Sequence, residues 1–155
     1  MSGQIMLGMI AMIIILVISS PSYISSESVL AWKKAQDISS TITGLSMSKD
    51  NFETLNQTSL TVVNWRAEIE SLGRPIPQYG DSEWFFGRNT TGDYFCLYAD
   101  GQLISDRWYS IIKKSQEKVG FFSYINENCG ATSDFTGTPD LSTLSNISLT
   151  IYVGG

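Results

Sequence analysis

The chain has 155 residues, a net charge of −5 and a pI near 4.6, and it contains no histidine. A chain of this length is expected to form one domain with a core of its own. Its ten basic residues are scattered along the sequence, which argues against nucleic-acid binding because phosphate contacts need grouped lysines and arginines. The lack of histidine removes the commonest general base and the commonest metal ligand.

The first segment, MSGQIMLGMIAMIIILVISSPSYISS, holds no charged residue, and the first charge is Glu27. Residues 5–18 are almost continuously apolar, and as a helix they would span about 21 Å, short of a hydrocarbon core of about 30 Å. A helix continued to Ile24 reaches about 30 Å. It passes through Pro21, which removes one helical hydrogen bond and predicts a kink there.

Several interpretations of this segment compete. A cleaved signal peptide needs a basic start, which is missing here. A plain membrane anchor normally carries lysine or arginine at its cytoplasmic end, and the N-terminus has neither. We favour a processed N-terminus, from which a basic leader has been removed while the apolar helix is kept.

The next segment has the spacing of an amphipathic helix. Apolar residues recur at intervals of four and three, at Ala31, Ala35, Ile38, Ile42 and Leu45. We therefore predict one helix from near Met1 to about Leu45, bent near Pro21. Its first part, residues 1–28, is expected to protrude as a hydrophobic helix, because a head domain formed by residues 29–155 can cover only the second part.

The remainder of the chain predicts a mixed head domain. Residues 44–58 read as helix end and loop, and residues 59–72 as either a strand or a short helix ending at Gly73. A loop over 74–83 precedes a hairpin with strands 84–86 and 94–98 around the turn RNTTGD. The later predicted elements are a helix over 102–119 stopped by Gly120, a strand over 120–129, a polar loop over 131–146 and a strand of alternating pattern over 147–153. The fold class is α+β, with the long helix packed on an antiparallel sheet.

The chain has two cysteines, Cys96 and Cys129, too far apart in sequence for a CxxC motif. In an exported protein an even number predicts a disulfide, and two buried free thiols are the alternative. Three N-x-[ST] sequons occur, at Asn56, Asn89 and Asn146, and their use depends on the source organism.

No catalytic constellation is evident, and we predict a protein that is not an enzyme and needs no cofactor or metal. The candidate carboxylates Glu68, Glu70, Asp81, Glu83 and Asp93 have no nucleophile placed beside them. Asp134 and Asp140 lack the spacing of a calcium loop. The aromatic cluster Trp84, Phe85, Phe86, Tyr94 and Phe95 suits a sheet core better than a carbohydrate platform.

The predicted chain combines a protruding apolar N-terminal helix with proline near position 21, an amphipathic continuation, and a β-rich domain with a C-terminal cysteine pair. This combination resembles a mature type IV pilin. The stretch AQDISSTITGLSMSKDNFETL is similar to the type IVb subgroup. The resemblance covers the architecture of the whole chain and is specific in the first fifty residues and the cysteine pair. It implies a pilin fold and an outward-facing region between Cys96 and Cys129.

The resemblance also implies how subunits assemble. The side chains expected to pack in the filament core are Ile5, Leu7, Ile10, Ile14, Val17 and Ile18. Most type IV pilins have glutamate at the fifth mature residue, where this chain has Ile5. The expected N-terminal contact with a neighbouring subunit therefore falls to Met1, Ser2 and Gln4.

The implied function is a structural subunit of an extracellular type IV pilus used for adhesion, cell–cell contact or conjugation. Its implied partners are other copies of itself, the pilus assembly machinery and the inner membrane that holds it before assembly. Three alternatives remain: a minor pilin, a pseudopilin of type II secretion, and a surface binding module anchored by a single helix.

Overall fold

The computed structural model describes residues 26–101, 104–120 and 122–154, and it has the predicted α+β architecture. Within these residues three helices and four strands follow in the order α1 (Ser26–Asn56), α2 (Trp65–Glu70), β1 (Glu83–Asn89), β2 (Gly92–Asp100), α3 (Asp106–Val119), β3 (Ser123–Asn126) and β4 (Asn146–Tyr152).

Helix α1 confirms the predicted buried face, since Ala31, Ala35, Ile38, Ile42 and Leu45 are all buried. The predicted end near Leu45, followed by a loop, is wrong, because the helix continues to Asn56. The buried face goes on through two polar residues, Ser48 and Lys49, which an apolar pattern does not detect. The predicted kink at Pro21 lies outside the described residues.

The four strands form one antiparallel sheet in the order β1–β2–β4–β3. The predicted hairpin is confirmed, with a tighter turn than expected, because Asn89 pairs with Gly92 across a two-residue loop. The side-chain oxygen of Asn89 accepts hydrogen bonds from the backbone N–H groups of Thr91 and Gly92. Gly92 has φ of +144°, which explains why glycine stands at that turn position.

The inner face of the sheet packs against α1 and α3 and forms the core. Residues paired directly across antiparallel strands share a face, so Trp84 and Leu97 lie on this face with the pair Phe86 and Phe95. Trp65, which begins α2, meets the Phe95 ring edge-on with ring centroids 5.7 Å apart. The segment 59–72 thus contains a short helix from Trp65 and no strand.

The last strand differs from its predicted alternation. Residues 147–151 of β4 are all buried, because β4 lies between β2 and β3 and both of its faces are covered. Its outer-face hydroxyls are paired: Ser148 donates to the Asn126 carbonyl at 2.9 Å, and Thr150 accepts from the Gly130 N–H at 3.0 Å. A segment after β3 therefore closes the outer face over β4.

Helix α3 has clear boundaries. Ser105 caps its N-terminus by accepting a hydrogen bond from the Trp108 N–H, and Gly120 ends it with φ of +86°, as predicted. It begins at Asp106 instead of Gln102. The strand after it is shorter than predicted, because β3 stops at Asn126, three residues before Cys129.

Candidate functional site

The residues predicted to pack in the filament core and to form the N-terminal contact all lie outside the described residues. They are Met1, Ser2, Gln4, Ile5, Leu7, Ile10, Ile14, Val17 and Ile18. The surface that the structure describes closest to them in sequence is the beginning of α1.

The first turns of α1 expose large apolar side chains. Val29 and Trp32 are each 51% exposed and Leu30 is 43% exposed, whereas Ala31 on the buried face is 6% exposed. Most exposed apolar residues of a soluble domain are scattered singly. Here three lie within four residues, directly after the uncharged N-terminal segment.

The C-terminal half of α3 lies beside this part of α1. The Ser115 hydroxyl is 3.4 Å from the Ala35 carbonyl, and the Lys118 Nζ lies 4.6 Å from the centroid of the Trp32 ring. The Lys118 contact is a cation–π interaction. Lys114 lines a cavity of about 350 Å³ together with Ser28, Val29 and Trp32. The exposed or half-buried side chains that surround this end of α1 are Val29, Leu30, Trp32, Lys33, Lys34, Lys114 and Lys118, and we call them together the N-terminal surface. Four of the six lysines of the chain are there, although they are scattered in the sequence.

The predicted disulfide between Cys96 and Cys129 is confirmed, with Cα atoms 5.7 Å apart. Cys96 is buried in the middle of β2, and Cys129 lies in the segment that covers the outer face of the sheet. The bond encloses the end of β2, helix α3 and strand β3 in one covalent loop. The region 96–129 thus contains the lysines of α3 and part of the segment that covers the outer face of the sheet.

The Tyr94 ring is fixed between two glycines on this outer face. A β-carbon on Gly87, its partner in β1, would overlap the ring, and one on Gly130 would lie 2.9 Å from Cζ. The Tyr94 ring meets Tyr152 edge-on at 5.7 Å. Of the predicted aromatic cluster, Trp84, Phe86 and Phe95 are core, whereas Phe85 is exposed on the outer face and Tyr94 is half-buried there.

A groove of about 420 Å³ runs beside the edge strand β1 on the outer face. Its walls are formed mainly by the aromatic and apolar side chains of Phe85, Tyr94, Tyr98 and Val62. Asn128 is one of its polar lining residues. Phe85 and Tyr98 meet edge-on with ring centroids 5.9 Å apart. The groove lies beside the disulfide, since Cys129 is also among its lining residues.

Four charged groups join α1 to the hairpin. The Lys49 ammonium lies 2.9 Å from Glu53 and 3.3 Å from Asp93, and Asp93 also accepts a bidentate pair of hydrogen bonds from Arg88. The hydrogen bond from Arg88 holds the pKa of Asp93 below its usual value against the effect of burial. Burial lowers the pKa of Lys49, but Glu53 and Asp93 together outweigh it and raise that pKa. The arrangement therefore links α1 to the hairpin through paired charges.

The other candidate carboxylates either have local structural contacts or are exposed. Glu68 accepts hydrogen bonds from the N–H and hydroxyl of Thr61, while Glu70, Asp81 and Glu83 are exposed. Asp134 accepts from the Ile125 N–H at 2.7 Å and covers the free edge of β3. Asp140 accepts from the N–H and hydroxyl of Ser142, and these bonds lower its pKa. In the described part of the chain, no three His, Cys, Asp or Glu residues are grouped as metal ligands.

All three sequon asparagines donate hydrogen bonds from their side-chain amides to other groups of the chain. Asn56 donates to the Phe52 carbonyl, Asn146 to the Tyr98 hydroxyl, and Asn89 to both the Gly130 carbonyl and the Tyr152 hydroxyl. A glycan on Asn89 would replace one of the two amide hydrogens with which the hairpin contacts Gly130 and Tyr152. These asparagines therefore have structural contacts of their own.

Across 26–101, 104–120 and 122–154, none of the helices combines the length and apolar character needed to cross a bilayer. Comparisons with protein-family models, with curated protein sequences and with solved structures found no match.

Proposed function

We propose that this chain is a structural subunit of a type IV pilus-like filament, which polymerises through its apolar N-terminal segment and displays its head domain on the outside. The observation that carries the proposal is the start of α1. The described part of the helix, from Ser26 onward, follows the uncharged segment in the sequence and exposes Val29, Leu30 and Trp32. A head domain with no neighbour would gain stability by burying these side chains.

The physical basis of assembly is an exchange of apolar environments. In the membrane, residues 5–18 are surrounded by lipid, and in a filament by the same segment of neighbouring subunits. The apolar side chains stay out of water in both states, so the transfer is close to balanced and small packing differences decide it. Gly3 and Gly8 permit close approach of helix backbones.

The head domain suits display outside the cell. The disulfide between Cys96 and Cys129 is typical of proteins in oxidising compartments. It fastens the cover of the outer sheet face, so that this face keeps its shape when filaments are exposed to shear. Contacts for adhesion or conjugation would then be formed by the outer face and its groove beside β1.

The proposal is tested by placing a charge in the apolar segment. Ile10→Lys is expected to abolish filaments in sheared surface material, because a lysine in an apolar bundle has no partner for its charge. Ile10→Val is the matched control, which keeps the apolar character and should assemble normally. Formation of the Cys96–Cys129 disulfide in both variants shows that the head has folded. Normal filaments built from the Ile10→Lys chain would contradict the proposal.

A second candidate, the surface binding module anchored by a single helix, is favoured by the groove lined by Phe85, Tyr94 and Tyr98. Aromatic rings beside polar groups such as Asn128 are typical of ligand sites. The two functions differ on shearing, because a filament is released from the cells while an anchored monomer stays with the membranes. A minor pilin would be released in small amounts, at filament tips.

A further inference from the structure

The N-terminal surface differs in charge from the rest of the molecule. The segments 26–37 and 114–118 carry the four lysines of this surface against the three carboxylates of Glu27, Asp37 and Glu117, a net charge of +1 in a chain whose net charge is −5. Lys33, Lys34 and Lys118 are exposed and Lys114 is half-buried. Positive charge is thus concentrated at the end of the head domain where the apolar segment joins it.

The aromatic residue at this end is the one tryptophan of the chain that is largely exposed. Trp32 is 51% exposed, whereas Trp65, Trp84 and Trp108 are each 7% exposed or less. Tryptophan is enriched where membranes meet water, because its ring is apolar and its N–H needs a polar partner. Lysine stems beside it can cover apolar surface while their ammonium groups reach phosphates.

The distance along the chain places this surface close to any membrane that holds residues 5–18. Val29 follows Ile18 by eleven positions, which would span about 16 Å as a helix. Lysines next to a membrane segment often mark its cytoplasmic side. The Cys96–Cys129 disulfide favours an oxidising compartment instead, so these lysines need another role.

We propose that the N-terminal surface lies on anionic phospholipid headgroups while the apolar segment holds the chain in a membrane. Val29, Leu30 and Trp32 enter the headgroup boundary, and Lys33, Lys34 and Lys114 pair with lipid phosphates. This inference rests on the membrane stage of the proposed function. It assigns a second role to side chains that a neighbouring subunit covers after assembly.

The test uses the full chain in phospholipid vesicles, with phosphatidylcholine alone or mixed with phosphatidylglycerol. Lipids brominated near the headgroup quench a tryptophan that touches them, and Trp32→Phe identifies the part of the signal due to Trp32. The variant Lys33→Gln/Lys34→Gln/Lys114→Gln removes three charges but keeps Lys118, which lies over the Trp32 ring. The matched control, Arg66→Gln/Arg74→Gln/Arg107→Gln, removes three charges elsewhere.

The expected result is stronger quenching of Trp32 in anionic than in neutral vesicles. The lysine variant should reduce it by about twofold or more, because each surface lysine strengthens binding to an anionic surface by about fivefold. The arginine variant should leave quenching unchanged. Equal quenching in both vesicle types, or equal quenching of both variants, would overturn this inference alone. A chain that floats with neither vesicle type would overturn the membrane stage of the proposed function as well.

Discussion

The two faces of the sheet are covered in different ways. The inner face is covered by α1 and α3, and its contacts are mostly between apolar side chains such as Ile38, Phe95 and Leu149. The outer face is covered by the segment after β3, and its contacts are a disulfide, hydroxyl hydrogen bonds to Ser148 and Thr150, and an aromatic ring seated on glycines.

This difference shows how one small domain divides its tasks. Apolar burial stabilises the inner face without strict geometry, since side chains of similar volume can replace one another. The outer face depends on particular partners far apart in sequence, so its shape depends on specific contacts. In the filament proposed above, the outer face would be the one that meets the surroundings.

The largest expected effect comes from removing the disulfide of the outer face. The double variant Cys96→Ala/Cys129→Ala should lower the free energy of unfolding by about 3–4 kcal/mol, because the bond closes a loop with a sequence separation of 33 residues. Urea unfolding of the full chain in mild detergent measures this change. Reduction of the native chain should give a similar loss, and an unchanged unfolding midpoint would contradict the role given to the bond.

The inner face is expected to respond almost as strongly to a cavity. Ile38→Ala should cost about 3 kcal/mol, because Ile38 is completely buried and the space it leaves can collapse only in part. Val29→Ala on the same helix is the matched control and should cost less than about 0.5 kcal/mol, since Val29 is half exposed. The same unfolding measurement compares them, and similar losses would show that the α1 face is assigned wrongly.

Disruption of the charged cluster between α1 and the hairpin is expected to lower the free energy of unfolding by an intermediate amount, and this loss depends on pH. Asp93→Asn should cost about 2 kcal/mol at neutral pH, because Lys49 and Arg88 lose a shared carboxylate. The pKa of Asp93 is below its ordinary value of 3.8 in the folded chain. Its contribution is therefore present above that value and disappears as the pH falls through the folded pKa.

Unfolding curves at a series of pH values between about 5 and 2 check this sign. The native chain should lose more stability over that range than Asp93→Asn, and the two should converge at the acid end. Parallel losses across the whole range would mean that Asp93 is not the titrating group.

The smallest of these effects concerns the glycine under Tyr94. Gly87→Ala should cost about 1–2 kcal/mol, because the new β-carbon would overlap the Tyr94 ring. Gly101→Ala, where the nearest atom is 3.6 Å from the new β-carbon, is the control and should be nearly neutral. In a double-mutant cycle, Tyr94→Ala should remove most of the Gly87→Ala penalty, and strictly additive losses would contradict the contact.

The sequence predicted those parts of the fold that depend on local pattern. The buried face of α1, the hairpin, the stop at Gly120 and the disulfide pair were all predictable from spacing and residue type. The end of α1 was not predictable, because the buried face of its last turns includes Lys49. The Lys49 ammonium is paired with Asp93, which lies 44 residues further along the chain. The full burial of β4 was not predictable either, because its outer face is closed by β3 and the segment after it, which strand pairing and the disulfide bring near.

The N-terminal surface was also beyond sequence reasoning. Lys33 and Lys34 are separated from Lys114 and Lys118 by about eighty residues, and only the packing of α3 against α1 unites them. A charge pattern in the sequence predicts only that each group of lysines is exposed to solvent. Tertiary contacts determine which of these groups lie together on one surface. The predicted filament-core residues, by contrast, come from the sequence alone.

The central claim is tested most directly by electron microscopy of sheared cell-surface material labelled with antibody against the head domain. A filament subunit predicts continuous labelling along thin filaments, and the labelling should vanish in cells that produce Ile10→Lys. Label that stays with the membranes and leaves every filament bare would contradict the claim and make the apolar segment a simple anchor.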